Sequence, residues 1–149
     1  YQRKGIGLHR FKGSIFLHKG DWREGKAFKQ ALLLRHPPDL VFLDGEEKEA
    51  PSPSLPPTFS FLSLKPENLV LTAFYSDEEA YYLRFYEIEG KSTEAKIKLP
   101  FKINEAIAID FLGNPLEGVE VDIKGNKLSL RVEPWEIITL SLKPVSFSL

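Results

Sequence analysis

Val119-Glu120-Val121-Asp122-Ile123-Lys124-Gly125-Asn126-Lys127-Leu128-Ser129-Leu130-Arg131-Val132 is the stretch whose reading decides the fold. Val119, Val121 and Ile123 alternate with Glu120, Asp122 and Lys124. Beyond Gly125-Asn126, Leu128, Leu130 and Val132 alternate with Ser129, Arg131 and Glu133. A period of two sends successive side chains to opposite faces, so each run is a strand with one face buried and the other in water. Two such runs joined by Gly-Asn predict an antiparallel hairpin with a two-residue turn.

The same period extends outward. Ala95, Ile97 and Leu99 alternate against Lys96 and Lys98, and Leu69 to Phe74, Tyr81 to Ile88, Ile103 to Phe111 and Ile137 to Leu142 complete the set. Short strands at near-regular spacing, separated by turns and accompanied by a single helix, specify a mainly β fold: an antiparallel β-sandwich with one short α-helix. The helix is expected from Asp21, which can cap it while Glu24 returns the bond in a variant capping box; Pro37-Pro38 stop it. Gly25 weakens that helix by about 1 kcal/mol relative to alanine. Ile6 to Leu17 reads as one or two short strands and Leu40 to Leu43 as another. Residues 44–58, with Pro51, Pro53, Pro56 and Pro57, read as an exposed Pro-rich loop within one β-sandwich domain spanning 1–149.

Composition bounds the function. The chain has 149 residues, 42% of them hydrophobic, with 20 basic and 21 acidic side chains, as expected of an ordinary globular unit with a core. The mixing of Lys with Glu along the chain suggests no basic face for phosphates, so nucleic acid is not an expected partner. No apolar run approaches the roughly 20 residues that span a bilayer, so a membrane is not expected either. Cysteine is absent, which removes disulfides, thiolate nucleophiles and Cys-ligated zinc. Methionine is absent too and the first residue is Tyr1, so the chain is expected to be a piece of something longer. Lacking both Cys and Met while rich in Lys and Glu, it fits a thermophilic source.

No catalytic motif emerges. His18-Lys19-Gly20-Asp21-Trp22-Arg23-Glu24 gathers reactive types, but capping explains Asp21 and Glu24, packing explains Trp22, a tight turn explains Gly20 and a strand end explains His18. His9 and His18 lack metal-ligand spacing and His36 sits beside prolines. Glycoside hydrolysis needs two carboxylates roughly 5 to 10 Å apart. The candidates Glu87, Asp110, Glu133 and Glu136 lie at or near strand ends, where solvated faces account for them. There is no GxSxG, and Gly5-Ile6-Gly7 is no phosphate cradle. Alternation puts Tyr81, Leu83 and Phe85 on one face and Tyr82, Arg84 and Tyr86 on the other. The second face reads as a carbohydrate platform or a domain interface, and its Tyr-Arg-Tyr row favours an interface.

Taken in order, Glu67-Asn68-Leu69-Val70-Leu71-Thr72-Ala73, Leu83-Arg84-Phe85-Tyr86-Glu87, Asn104-Glu105-Ala106 with Asp110-Phe111-Leu112, and Val132-Glu133-Pro134-Trp135-Glu136-Ile137-Ile138-Thr139-Leu140 resemble the C-terminal β region of family 38 glycoside hydrolases, the α-mannosidases. His9-Arg10-Phe11 and Leu17 to Glu24 resemble the stretch in which a His-x-Gly-Asp-Trp-Arg element opens a helix in that family. Departures are Gly113-Asn114 after Leu112, where members often carry an acidic residue, and Trp135, where many have Phe. The resemblance implies a parent that is a retaining, zinc-dependent, exo-acting α-mannosidase of microbial, archaeal or thermophilic type, usually cytoplasmic. Its catalytic aspartates and zinc ligands would lie in an N-terminal catalytic domain, so no catalytic, cofactor-binding or metal residue is carried onto this chain. The implied partners are that catalytic domain, other subunits of a homo-oligomer, and carbohydrate.

Overall fold

A computed structural model describes residues 7–42 and 56–145. Contacts divide the chain into two compact units, Tyr1–Ala50 and Pro51–Leu149.

In the first unit the helix α1 (Ala27–Arg35) begins later than expected. Asp21 does cap, its Oδ1 accepting the backbone N–H groups of Arg23 (2.8 Å) and Glu24 (3.0 Å). It caps a run of turns, however, and Lys26 at φ 52° breaks the backbone before the helix proper starts. The Glu24 carboxylate lies against Gly20, where an added Cβ would collide with it. The helix ends at Arg35, before the two prolines. Residues 7–17 and 40–42 form no strand. This corrects the expected strands there: among the described residues they have no partner strand, and a lone strand has nowhere to place its backbone hydrogen bonds. Leu43 and residues 44–55 of the Pro-rich loop lie outside the described residues.

The described residues of the second unit hold eight strands: β1 Ser63–Lys65, β2 Leu69–Ser76, β3 Tyr81–Glu87, β4 Thr93–Lys98, β5 Ile103–Ile109, β6 Asp122–Lys124, β7 Lys127–Val132 and β8 Ile137–Pro144. They form two antiparallel four-stranded sheets, ordered β1-β4-β7-β6 and β2-β3-β8-β5, that make the β-sandwich. The β6–β7 hairpin has the expected two-residue turn, with Lys124 opposite Lys127 and Gly125 at φ 66°, a sign that fits a type II′ turn. Asn126 Nδ2 donates to the Leu99 carbonyl at 2.7 Å, tying that turn to the end of β4. The regular strand β6 is shorter than its alternation suggests. Val119 and Val121 still pack against the core outside the ladder. The alternating residues meet between the sheets: Leu83, Phe85, Ile138, Leu140 and Leu142 from one, Ala95, Ile97, Leu128, Leu130 and Val132 from the other, all buried.

Candidate interaction face and a buried carboxylate

Each of the four carboxylates singled out in the sequence accepts local hydrogen bonds. Glu87, in phase with Leu83 and Phe85, turns inward and is fully buried. Oε1 accepts Asn68 Nδ2 (2.8 Å) and the Glu89 N–H (2.7 Å). Oε2 accepts the N–H groups of Gly90 (2.7 Å), Lys91 (3.2 Å) and Trp135 (3.1 Å). Burial pushes its pKa up, but the bonds from Glu89, Trp135, Asn68 and Gly90 outweigh that and hold it below the usual carboxylate value. One side chain therefore joins the turns after β1, β3 and β7. Trp135 adopts φ 63°, unusual for a bulky residue. Its indole covers Gly90, where an added Cβ would meet the ring at 2.7 Å.

Glu136 Oε2 accepts the Glu133 N–H at 2.6 Å, and Glu133 Oε1 accepts Arg131 Nε at 2.7 Å. Both line a polar groove of about 660 Å³ with Val119 and Asp122, Glu136 closing the turn through the Glu133 N–H and Glu133 pairing with Arg131. Asp110 builds a loop. Oδ1 accepts the N–H groups of Leu112 and Asn114, and Oδ2 accepts Asn114 Nδ2. The loop folds back on β5 through Leu116 N–H to the Ala108 carbonyl, with Phe111 near its start.

The outer faces of the two sheets differ in chemistry. On the first sheet, register sets Lys65 beside Lys96, and Lys98 beside Lys127, itself opposite Lys124. The pleat sets Glu94 and Asp122 on the same side, where they pair with Lys96 (3.6 Å) and Lys124 (2.9 Å), so five lysines share this face with two acids. On the second sheet, β3 presents Tyr82, Arg84 and Tyr86 outward, as alternation predicts. Flanking them are Val70, Ala73 and Tyr75 from β2 and Ile137, Thr139 and Ser141 from β8. Tyr75 stacks on Tyr82 with ring centroids 5.0 Å apart. The Tyr82 hydroxyl donates to Asp77 Oδ2 at 2.9 Å. Arg84 Nε donates to Thr139 Oγ1 at 2.9 Å while its guanidinium lies 4.8 Å from the Phe111 ring centroid. A groove of about 400 Å³ opens around it, lined by Thr72, Ala73, Arg84, Tyr86, Phe111 and Ile137.

Residues 59–140 match the family model described as "Glycosyl hydrolases family 38 C-terminal beta sandwich domain", more than half of the chain. The chain belongs to this family. Its curated relatives include human "Alpha-mannosidase 2C1", 27% identical over 141 residues, covering 91% of this chain and 13% of the human protein. The mouse protein of the same name is 25% identical over 142 residues, covering 92% of this chain and 13% of that protein. The chain thus spans 13% of the length of the relatives it matches. No solved structure matches it. In this family 38 sandwich the matched span contains the Glu87 cluster, Arg84 and Phe111, whereas α1 lies before it. Among the described residues, no group of three or more His, Cys, Asp or Glu is placed to hold a metal ion. None of the described helices is long and apolar enough to cross a membrane.

The Glu87 cluster was missed as a centre, although its signal was present: a glutamate in phase with two core residues must turn inward and find donors. Nothing local signalled that Phe111 covers Arg84, since 27 positions separate the two residues along the chain.

Proposed function

We propose that this sandwich is a non-catalytic supporting module of a longer, retaining, zinc-dependent enzyme that hydrolyses terminal α-mannosides. In this reading it docks against the rest of that protein through the outer face of its second sheet. The observation that carries the proposal is the contrast between the two outer faces. The first is lysine-rich and suited to water. The second presents Tyr75, Ile107 and Ile137, each more than a third exposed, beside half-buried Tyr82 and Tyr86. A large apolar face on a sheet marks a surface that another surface covers. Zinc, the catalytic carboxylates and a cytoplasmic location belong to the longer protein in this reading and rest on the family resemblance.

Two measurements test it. The purified chain with added zinc is expected to release no nitrophenol from 4-nitrophenyl α-mannoside, and turnover would refute the non-catalytic role. In the longer protein, Tyr86→Ser with Ile137→Ser is expected to lower mannosidase activity or its thermal midpoint, while the isolated chain stays folded. Unchanged activity and midpoint would remove the docking face.

A second reading, carbohydrate held directly on this face, is favoured by the stack of the exposed Tyr75 on the half-buried Tyr82. Saturable binding of a mannose oligosaccharide that disappears in Tyr82→Ala would carry it. No binding up to millimolar sugar would remove it.

A further inference from the structure

Arg84 is the centre of the outer face, and its guanidinium is fixed before any partner arrives. Nε is committed to Thr139 Oγ1 and the plane of the group lies by Phe111. Phe111 is in turn held by the Asp110 loop, whose carboxylate closes on Leu112 and Asn114. The two Nη groups have no acceptor among the described residues. The carboxylates nearest along the neighbouring elements are engaged elsewhere: Asp110 accepts from Leu112 and Asn114, and Asp77 accepts the Tyr82 hydroxyl. No acidic residue lines the groove into which Arg84 projects.

We infer that this groove receives the carboxylate of an Asp or Glu side chain, carried on an otherwise apolar segment of the docking partner. The inference deepens the docking reading proposed above and rests on it. If the face is covered, Arg84 loses water, and an unpaired guanidinium in a dry interface is strongly unfavourable. The covering surface must therefore bring an anion. With Nε occupied, the remaining approach is end-on to the paired Nη groups, which present parallel donors matched to the two oxygens of a carboxylate. Tyr86, Phe111 and Ile137 around the fork provide apolar contact for the residues on either side of the acid and restrict screening by salt.

The test uses the 149-residue chain labelled with 15N-arginine and three probes: a capped Leu-Asp-Leu amide, its Leu-Asn-Leu isostere, and phenyl phosphate. Arg84→Lys assigns the Arg84 Nε–H resonance. The aspartyl peptide is expected to shift that resonance saturably, and the asparaginyl peptide to bind on the order of tenfold more weakly, since a charge-assisted bond is exchanged for a neutral one. Arg84→Lys is expected to weaken the aspartyl peptide severalfold while the chain stays folded, its thermal midpoint lowered by no more than the lost Thr139 bond and Phe111 contact, because lysine keeps the charge but lacks the fork. Equal binding of the two peptides, or no response at Arg84, overturns the inference. Tighter binding of phenyl phosphate overturns the carboxylate assignment and identifies a phosphate ligand. Because the titration needs only this chain, its failure is distinct from failure of docking in the longer protein. A peptide that binds while Tyr86→Ser with Ile137→Ser leaves that protein unchanged supports the anchor and removes the interface.

Discussion

Because the Glu87 carboxylate is buried and its partners are N–H donors with no side-chain cation among them, its replacement exposes the cost of those donors directly. Glu87→Gln keeps the shape but turns an NH2 group toward backbone N–H groups, leaving at least one donor unsatisfied. It is expected to cost about 2–3 kcal/mol, read from urea unfolding. Since the folded-state pKa lies below the unfolded value of about 4.3, the stability that Glu87 contributes as an anion is complete above about pH 5. It is lost as pH falls through the unfolded and then the folded value. Glu87→Gln should therefore flatten the acid limb of the stability curve below about pH 4.5; a slope equal to that of the parent chain would contradict the assignment. Two glycines separate backbone strain from packing. Gly125 (φ 66°) has open space where a Cβ would stand, so Gly125→Ala is expected to cost about 1 kcal/mol through backbone strain. Gly90 (φ 74°) faces the Trp135 ring as well, so Gly90→Ala should cost more and also perturb Trp135 fluorescence.

Strand pairing places like charges where a reading along the chain sees only alternation. Lys98 stands opposite Lys127, which stands opposite Lys124, and among the described residues only Lys124 of the three has a carboxylate partner, Asp122 at 2.9 Å. Directly opposed like charges destabilise a pair. Lys127→Glu is expected to stabilise the sandwich by roughly 0.5 kcal/mol at low salt, an effect that fades as salt is added. A midpoint that falls, or a gain insensitive to salt, would show that the opposition carries no energy. The elements also show where periodicity suffices as a guide. Strands of six to eight residues, such as β2, β4, β7 and β8, lie close to where alternation puts them. Ser63-Leu64-Lys65 went unnoticed because three residues are too few to show a period. Residues 7–17 are apolar enough for a strand, but none of the described residues offers them a ladder, and α1 starts late because the left-handed Lys26 interrupts the turns that Asp21 caps.

At the scale of the molecule, all eight strands and the buried cluster lie within the second unit, so that unit is expected to fold by itself. An excised 51–149 chain should give dispersed NMR spectra and a cooperative thermal transition. A collapsed spectrum would mean that residues 1–50 are required for folding. The proposed docking face and its proposed Arg84 anchor are likewise properties of the whole sheet, for they draw on β2, β3, β8 and the loop after β5. The sequence by itself determined the class of fold, the hairpin at Gly125-Asn126, the outward Tyr82-Arg84-Tyr86 row and the family. Each depends on a local period or an ordered set of short motifs, and side-chain direction in a strand is local geometry. Only the tertiary structure decided that Glu87 is a buried hub, that five lysines share one face, and that Phe111 lies over Arg84. Those outcomes depend on strand register and on which loop lies over which sheet, and these follow from burying apolar surface between residues distant in the chain.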